Sequence, residues 1–177
     1  MAPPPPFTPG TLPVSDEVGL YTAIGDATVE RIVLACKTYY LVSQGTTCGT
    51  DSDGNPFVVG ATALCVTRPL TLEAEPGCRA VLEAVPSNYS DTGNRVMLIN
   101  ARRITDGLSL MHDGIVYLER IDIQRGDAGT TGYGGQTYAT GGGLSIYDVT
   151  TRLDDVNIFN NSAVSASHNH SHPWSPV

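Results

Sequence analysis

The sequence predicts an all-β chain: a solenoid of the parallel β-helix kind, opened by one short N-terminal capping helix. Three observations carry the prediction. The stretch Leu118-Glu119-Arg120-Ile121-Asp122-Ile123 matches Leu153-Asp154-Asp155-Val156-Asn157-Ile158 position by position, 35 residues later. Thr67-Arg68-Pro69-Leu70-Thr71-Leu72 is a fainter copy. Apolar residues alternate with polar ones in pieces of three to five residues, the mark of short half-buried strands. No Asn-Gly or Asp-Gly hairpin joins these pieces cleanly, so a sandwich of longer strands fits less well.

The chain has 177 residues, 41% hydrophobic and 16% charged, enough for one domain with a packed core. Its net charge is −8 and it holds no block of Lys or Arg. That argues against nucleic acid and anionic membrane surfaces as partners. No run of eighteen apolar residues exists, so no membrane span is expected. Met1 to Pro6 has no basic region and no apolar core of a leader peptide. We therefore expect a fragment of a longer chain, with an intracellular protein as the alternative.

Residues 1–14 are rich in proline and read as a disordered, polyproline-type lead-in. Ser15 is the predicted helix N-cap, with Asp16 and Glu17 in the first turn. Leu20, Ile24 and Ala27 then share one face. Gly19 and Gly25 weaken the helix by about 1 kcal/mol each relative to Ala, so it should be short and held by packing. Arg31–Ala35 and Tyr39–Val42 are the first strands, and residues 43–57 a polar loop. Leu64 and Val66 should face inward and Cys65 outward. Leu70, Leu72 and Ala74 follow on one parity, Pro76-Gly77 turns the chain, and Val81-Leu82 opens another strand. A loop at 86–94 precedes strands at 96–99, 108–110, 115–118 and 121–123. Residues 126–143 read as a Gly/Thr insertion too polar for a core. A repeat at 144–163 follows, and the tail has no periodicity.

Asn161 suits a tight turn, because asparagine tolerates the left-handed conformation and bonds nearby backbone. The motifs Gly142-Gly143-Leu144 and Ile158-Phe159-Asn160-Asn161-Ser162-Ala163 resemble the repeats of the right-handed parallel β-helix superfamily, the pectin-lyase-like fold. They are most similar to repeats of polymorphic outer-membrane proteins and related adhesin-like surface proteins. Ile158 stands where that pattern usually has Phe, and Phe159 is shifted by one. The resemblance covers residues 15–165. It implies a right-handed coil at the cell surface or outside the cell, and says little about activity.

Catalytic members of that superfamily are polysaccharide lyases and glycoside hydrolases, which use carboxylates with Arg, Lys or Ca²⁺ on one outward face. Asp154-Asp155 resembles the paired aspartates of polygalacturonases, but the companion motifs are absent, and adjacent strand residues point to opposite sides. Solvated acids are the plainer reading. Asp51-Ser52-Asp53-Gly54-Asn55 begins like a Ca²⁺ loop, yet position twelve is Thr62 rather than Glu. Asp106, His112 and Asp113 cluster without a third catalytic group. His168, His170 and His172 alternate in a tail and suit only adventitious metal. Asn88, Asn160 and Asn169 head glycosylation sequons. No catalytic residue, metal ligand or cofactor is assigned, and no outward row of carboxylates with Arg on successive coils is expected.

Cys36, Cys48, Cys65 and Cys78 contain no C-x-x-C pair, which argues against zinc or thioredoxin-type motifs. They are disulfide candidates with three connectivities, four free thiols being the alternative. Outside the cell, Cys36 is expected to join Cys48 or Cys65, leaving Cys78 the remaining partner. The domain expectation is a lead-in at 1–14, a β-helix at 15–165 and a disordered tail at 166–177. The functional expectation is a non-catalytic structural or adhesive domain of an extracellular or cell-surface protein, with glycans or cell-surface proteins as partners. The alternatives are a fragment of a polysaccharide lyase or glycoside hydrolase, and an intracellular scaffold. Val164 to Val177 make a poor cap, so self-association through an open C-terminal coil is expected.

Overall fold

A computed structural model describes residues 10–44, 47–50, 56–58, 61–85, 94–100, 114–128, 141–147 and 149–162. In chain order its strands are β1 (Thr11–Val14), β2 (Arg31–Leu34), β3 (Thr38–Leu41), β4 (Thr47–Thr50), β5 (Pro56–Val58), β6 (Thr62–Val66), β7 (Leu70–Ala74) and β8 (Ala80–Ala84). They continue as β9 (Arg95–Asn100), β10 (Ile115–Glu119), β11 (Ile121–Gln124), β12 (Leu144–Tyr147), β13 (Thr150–Asp154) and β14 (Asn157–Phe159). One helix, α1 (Glu17–Gly25), lies between β1 and β2.

The chain is mostly β, and its large sheets are parallel. The first sheet has the order β1-β2-β7-β10-β13, the second β14-β11-β8-β3 and the third β12-β9-β6. The chain visits the three in the same sequence, and each return lays a strand beside that of the previous visit. The repeat at 35 residues is the register of these ladders: Leu118 faces Leu153, and Ile123 faces Ile158. The fainter copy sits elsewhere than expected. Leu70 and Leu72 pair with Val116 and Leu118, not with Ile121 and Ile123.

Parallel register stacks like on like. Ile32, Leu72, Leu118 and Leu153 form one column. Tyr39, Leu82, Ile123 and Ile158 form a second, and Val66, Ile99 and Ile146 a third. All but the last members are buried. Burying an aliphatic side chain of this size contributes about 1.5–3 kcal/mol, so the columns are the main cohesive element. The Tyr39 hydroxyl donates to the Val14 carbonyl at 2.7 Å, which satisfies the one polar atom its column buries. Burial pushes its pKa up to about 12.

Corners repeat as strands do. Arg120 and Asp155 adopt left-handed backbone at φ 57° and 52°, as do Arg125 and Asn160 at 57° and 53°. Asn160, not Asn161, therefore takes the left-handed position. Asn161 instead ties turns together. Its amide donates to the Ile123 and Phe159 carbonyls at 3.0 and 2.9 Å and accepts from the Gly126 N–H at 2.7 Å. The ends of the expected Gly/Thr insertion belong to this corner, because Gly142, Gly143 and Ala128 are buried. A Cβ on Gly142 would overlap the Ser162 carbonyl, so the close approach requires glycine there.

Several local expectations change. Thr11–Val14, placed in the disordered lead-in, is β1, paired in parallel with β2. The helix N-cap is Asp16, not Ser15: its carboxylate accepts the Gly19 N–H at 2.7 Å. The buried face is Leu20 and Ala23, since the helix ends at Gly25 before Ala27 can join it. The loop at 43–57 contains β4 and β5, an antiparallel pair. Of this pair β4 packs on β6 and β9, pinned by the Cys48–Cys65 bond and by the Asn100 amide donating to the Cys48 carbonyl at 3.1 Å. Leu64 and Val66 are buried and Cys65 is half-buried on the other face, where it meets that pair.

Cys36 bonds Cys78, contrary to the expected pairing of Cys36 with Cys48 or Cys65. The reason is the register. Cys36 follows β2 and Cys78 precedes β8, so both occupy the corner between the first and second sheets on adjacent turns of the chain. Their 42-residue separation is one circuit, whereas Cys48 and Cys65 stand 17 apart within one.

Candidate functional site

Period-two alternation turns every other residue of the first sheet outward. Register then builds two outward rows. One row is Arg31, Thr71, Tyr117 and Arg152; the other is Val33, Glu73, Glu119 and Asp154. The three acids thus occupy neighbouring strands at about 4.8 Å intervals. This overturns the expectation that no outward row of carboxylates with Arg exists. The signal was present at the offset of 35, because Glu119 and Asp154 are the second members of the two matched stretches. Glu73 was hidden by the misaligned fainter copy.

The acids differ in their surroundings. Glu73 is 4% exposed and accepts from Arg31 Nε and a terminal nitrogen at 3.0 and 2.6 Å. Arg120 lies 3.8 Å from Glu73 and also pairs with Glu119. Asp154 and Arg152 are exposed, and among the described residues neither side chain has an ion-pair partner. Beside these rows runs an open groove of about 530 Å³, lined by Glu30, Arg68, Pro69, Thr71, Ile115 and Tyr117, among others. Tyr117 and Ile115 are 38% and 37% exposed. Arg68 is held from behind, donating to the Val29 and Ala23 carbonyls at 2.5 and 3.0 Å. Burial lowers its pKa.

The second sheet carries a different outer row. Asp122 accepts from Arg79 at 2.7 Å and from the Asn157 amide at 2.8 Å. Burial pushes the Asp122 carboxyl up, and these bonds with the Arg79 charge outweigh it, so its pKa falls below the ordinary value. Arg79 also reaches Asp155 at 2.5 Å. The Asp154-Asp155 pair is therefore split: Asp154 stands on the first sheet's outer face, and Asp155 is a corner residue bonded to Arg79. Glu83 likewise meets Arg125 at 2.8 Å and the Gln124 amide at 2.7 Å.

Asp51–Asn55, the cluster of Asp106, His112 and Asp113, the tail histidines 168, 170 and 172, and sequons Asn88 and Asn169 lie outside the described residues. Asn160 is exposed at its corner. Among the described residues one set of three metal-type ligands gathers, Cys36, Glu75 and Cys78, with the two sulfurs joined as a disulfide. No described helix is long and apolar enough to cross a membrane. Comparison with protein families, curated proteins and solved structures finds no match for this chain.

Proposed function

We propose that the chain is a right-handed parallel β-helix domain of a cell-surface or secreted protein, non-catalytic and structural or adhesive, with the first sheet's outer face as its glycan contact. Three sheets visited repeatedly in one order support the coil, and parallel crossovers are right-handed in about 98% of cases. The two disulfides favour an oxidising compartment. The observation that carries the glycan reading is Tyr117, exposed between Thr71 and Arg152 on neighbouring strands and beside the groove. An aromatic face with flanking hydroxyl and charged groups suits a pyranose ring, which has an apolar side and a hydroxyl rim. Glu73 and Glu119 hold Arg31 and Arg120, which favours a structural use of these acids over acid–base work.

Glycan-array binding by the folded full chain tests this reading. Binding without cleavage, weakened by Tyr117→Ala, is the expected result; no binding to any glycan removes it. The carboxylate row favours a second reading, a glycoside hydrolase. Glu119 and Asp154, paired in register on neighbouring strands, put two acids side by side, and a two-carboxylate mechanism needs such a pair. Release of reducing ends, abolished by Glu119→Gln or Asp154→Asn, would establish that reading instead.

A further inference from the structure

We infer that the corner closed by Cys36 and Cys78 is also a metal site, which takes zinc when the disulfide is reduced. The ligand atoms are already gathered: the two sulfurs and a Glu75 carboxylate oxygen all lie within 4.8 Å of one another. Cys36 Sγ is 3.6 Å from Glu75 Oε2. The chain segment that supplies two of the three is a tight turn, Glu75-Pro76-Gly77-Cys78. Gly77 has φ 85°, and the Cys78 N–H donates to the Glu75 carbonyl at 3.3 Å. Pro at its second position and a left-handed Gly at its third fix the turn. It presents residues 75 and 78 toward the third ligand on the adjacent circuit.

Two thiolates and a carboxylate are ordinary zinc ligands, and solvent can supply a fourth. The nearby cations do not oppose a metal strongly. Lys37 is paired with Glu17 at 3.4 Å, and Arg79 with Asp122 and Asp155. Cys36 and Glu75 are exposed, so reductant and metal have access. The chemistry balances in two steps. Two equivalents of a monothiol reduce the bond to two Cys thiols and become a disulfide themselves. Zn²⁺ then displaces the two thiol protons, which pass to solvent. The corner is thus closed by a covalent bond in an oxidising compartment and by a metal in a reducing one.

The test uses the full chain, oxidised and reduced, with Zn²⁺ followed by calorimetry and Co²⁺ by absorption. The reduced chain should bind one ion, release two protons and give a thiolate-to-cobalt charge-transfer band. The oxidised chain should give no such band, which separates this site from the histidine-bearing tail. Cys36→Ser should abolish the band. Glu75→Gln should weaken binding by about tenfold or more, since even outer-shell partners of a metal matter that much. A band that persists in Cys36→Ser, or affinity unchanged in Glu75→Gln, would overturn the inference. Circular dichroism covers loss of fold: a chain unfolded by reduction and not restored by saturating zinc overturns it equally.

Discussion

The Glu17 carboxylate accepts the backbone N–H of Tyr40 at 3.1 Å, across 23 residues of chain. One helical turn later the Tyr21 hydroxyl accepts the Val42 N–H at 3.0 Å and donates to the Val42 carbonyl at 3.1 Å. Residues 17 and 21 share a helix face, and residues 40 and 42 point their N–H groups the same way. The helix therefore occupies polar groups on the open edge of the second sheet, where a further strand would otherwise pair. Tyr21→Phe should cost about 0.5–1.5 kcal/mol, because it removes two hydrogen bonds at a solvent-accessible edge. Urea denaturation measures this.

The same contact sets a pH dependence. Burial pushes the Glu17 carboxyl up, but bonds from its own backbone, Tyr40 and Lys37 outweigh it, and its pKa lies below the ordinary 4.5. A depressed folded pKa stabilises above the unfolded value and is lost as pH falls through the folded one. As pH falls from 4.5 through the lowered folded value, the wild-type chain should lose stability more steeply than Glu17→Gln does. Parallel acid slopes in the two proteins would contradict the assignment.

Leu118→Ala removes the centre of a buried column and should destabilise by about 2–5 kcal/mol. Ile115→Ala on the outer face of the same strand should stay within about 0.5 kcal/mol. Thermal melts of the two variants check the register directly, since a shift of one residue would exchange the effects.

The left-handed corner and the tying amide separate cleanly by mutation. Asn160→Gly should be neutral or slightly stabilising, because its φ of 53° suits glycine. Asn161→Ala should cost about 1–3 kcal/mol, leaving the Gly126 N–H and two carbonyls without their partner.

These positions differ in how far the sequence alone revealed them. The matched stretches at 118–123 and 153–158 state the ladder register outright, because both pairs of paired strands are separated by the same 35 residues. Circuits of unequal length hid the rest. Leu72 lies 46 residues before Leu118 but 40 after Ile32, so no single offset aligns the first sheet. The Cys36–Cys78 bond and the place of Glu73 in the acid row were lost for the same reason. The role of Glu17 was illegible because a helix that covers a strand edge looks, residue by residue, like any short helix with an acidic first turn. The β4–β5 pair had a local signal in Asp53-Gly54, obscured by the polar residues around it.

The two ends of the column system differ, and association should follow the difference. At the N-terminal end α1 covers the edge of the second sheet, with Leu20 and Ala23 buried beneath it. At the other end the last members of the three columns, Leu153, Ile158 and Ile146, are 44%, 46% and 42% exposed. Val164 to Val177 lie outside the described residues. A head-to-tail stack would need an open edge at both ends, and α1 removes one of them. Contact through the exposed ends of two copies uses the same surface on each and closes after two. We therefore expect a concentration-dependent dimer rather than a filament. Sedimentation across a concentration series should show it, and Leu153→Lys with Ile158→Lys should abolish it while the melting transition remains cooperative. A strictly monomeric wild-type chain at high concentration would show that this end is already satisfied within one molecule.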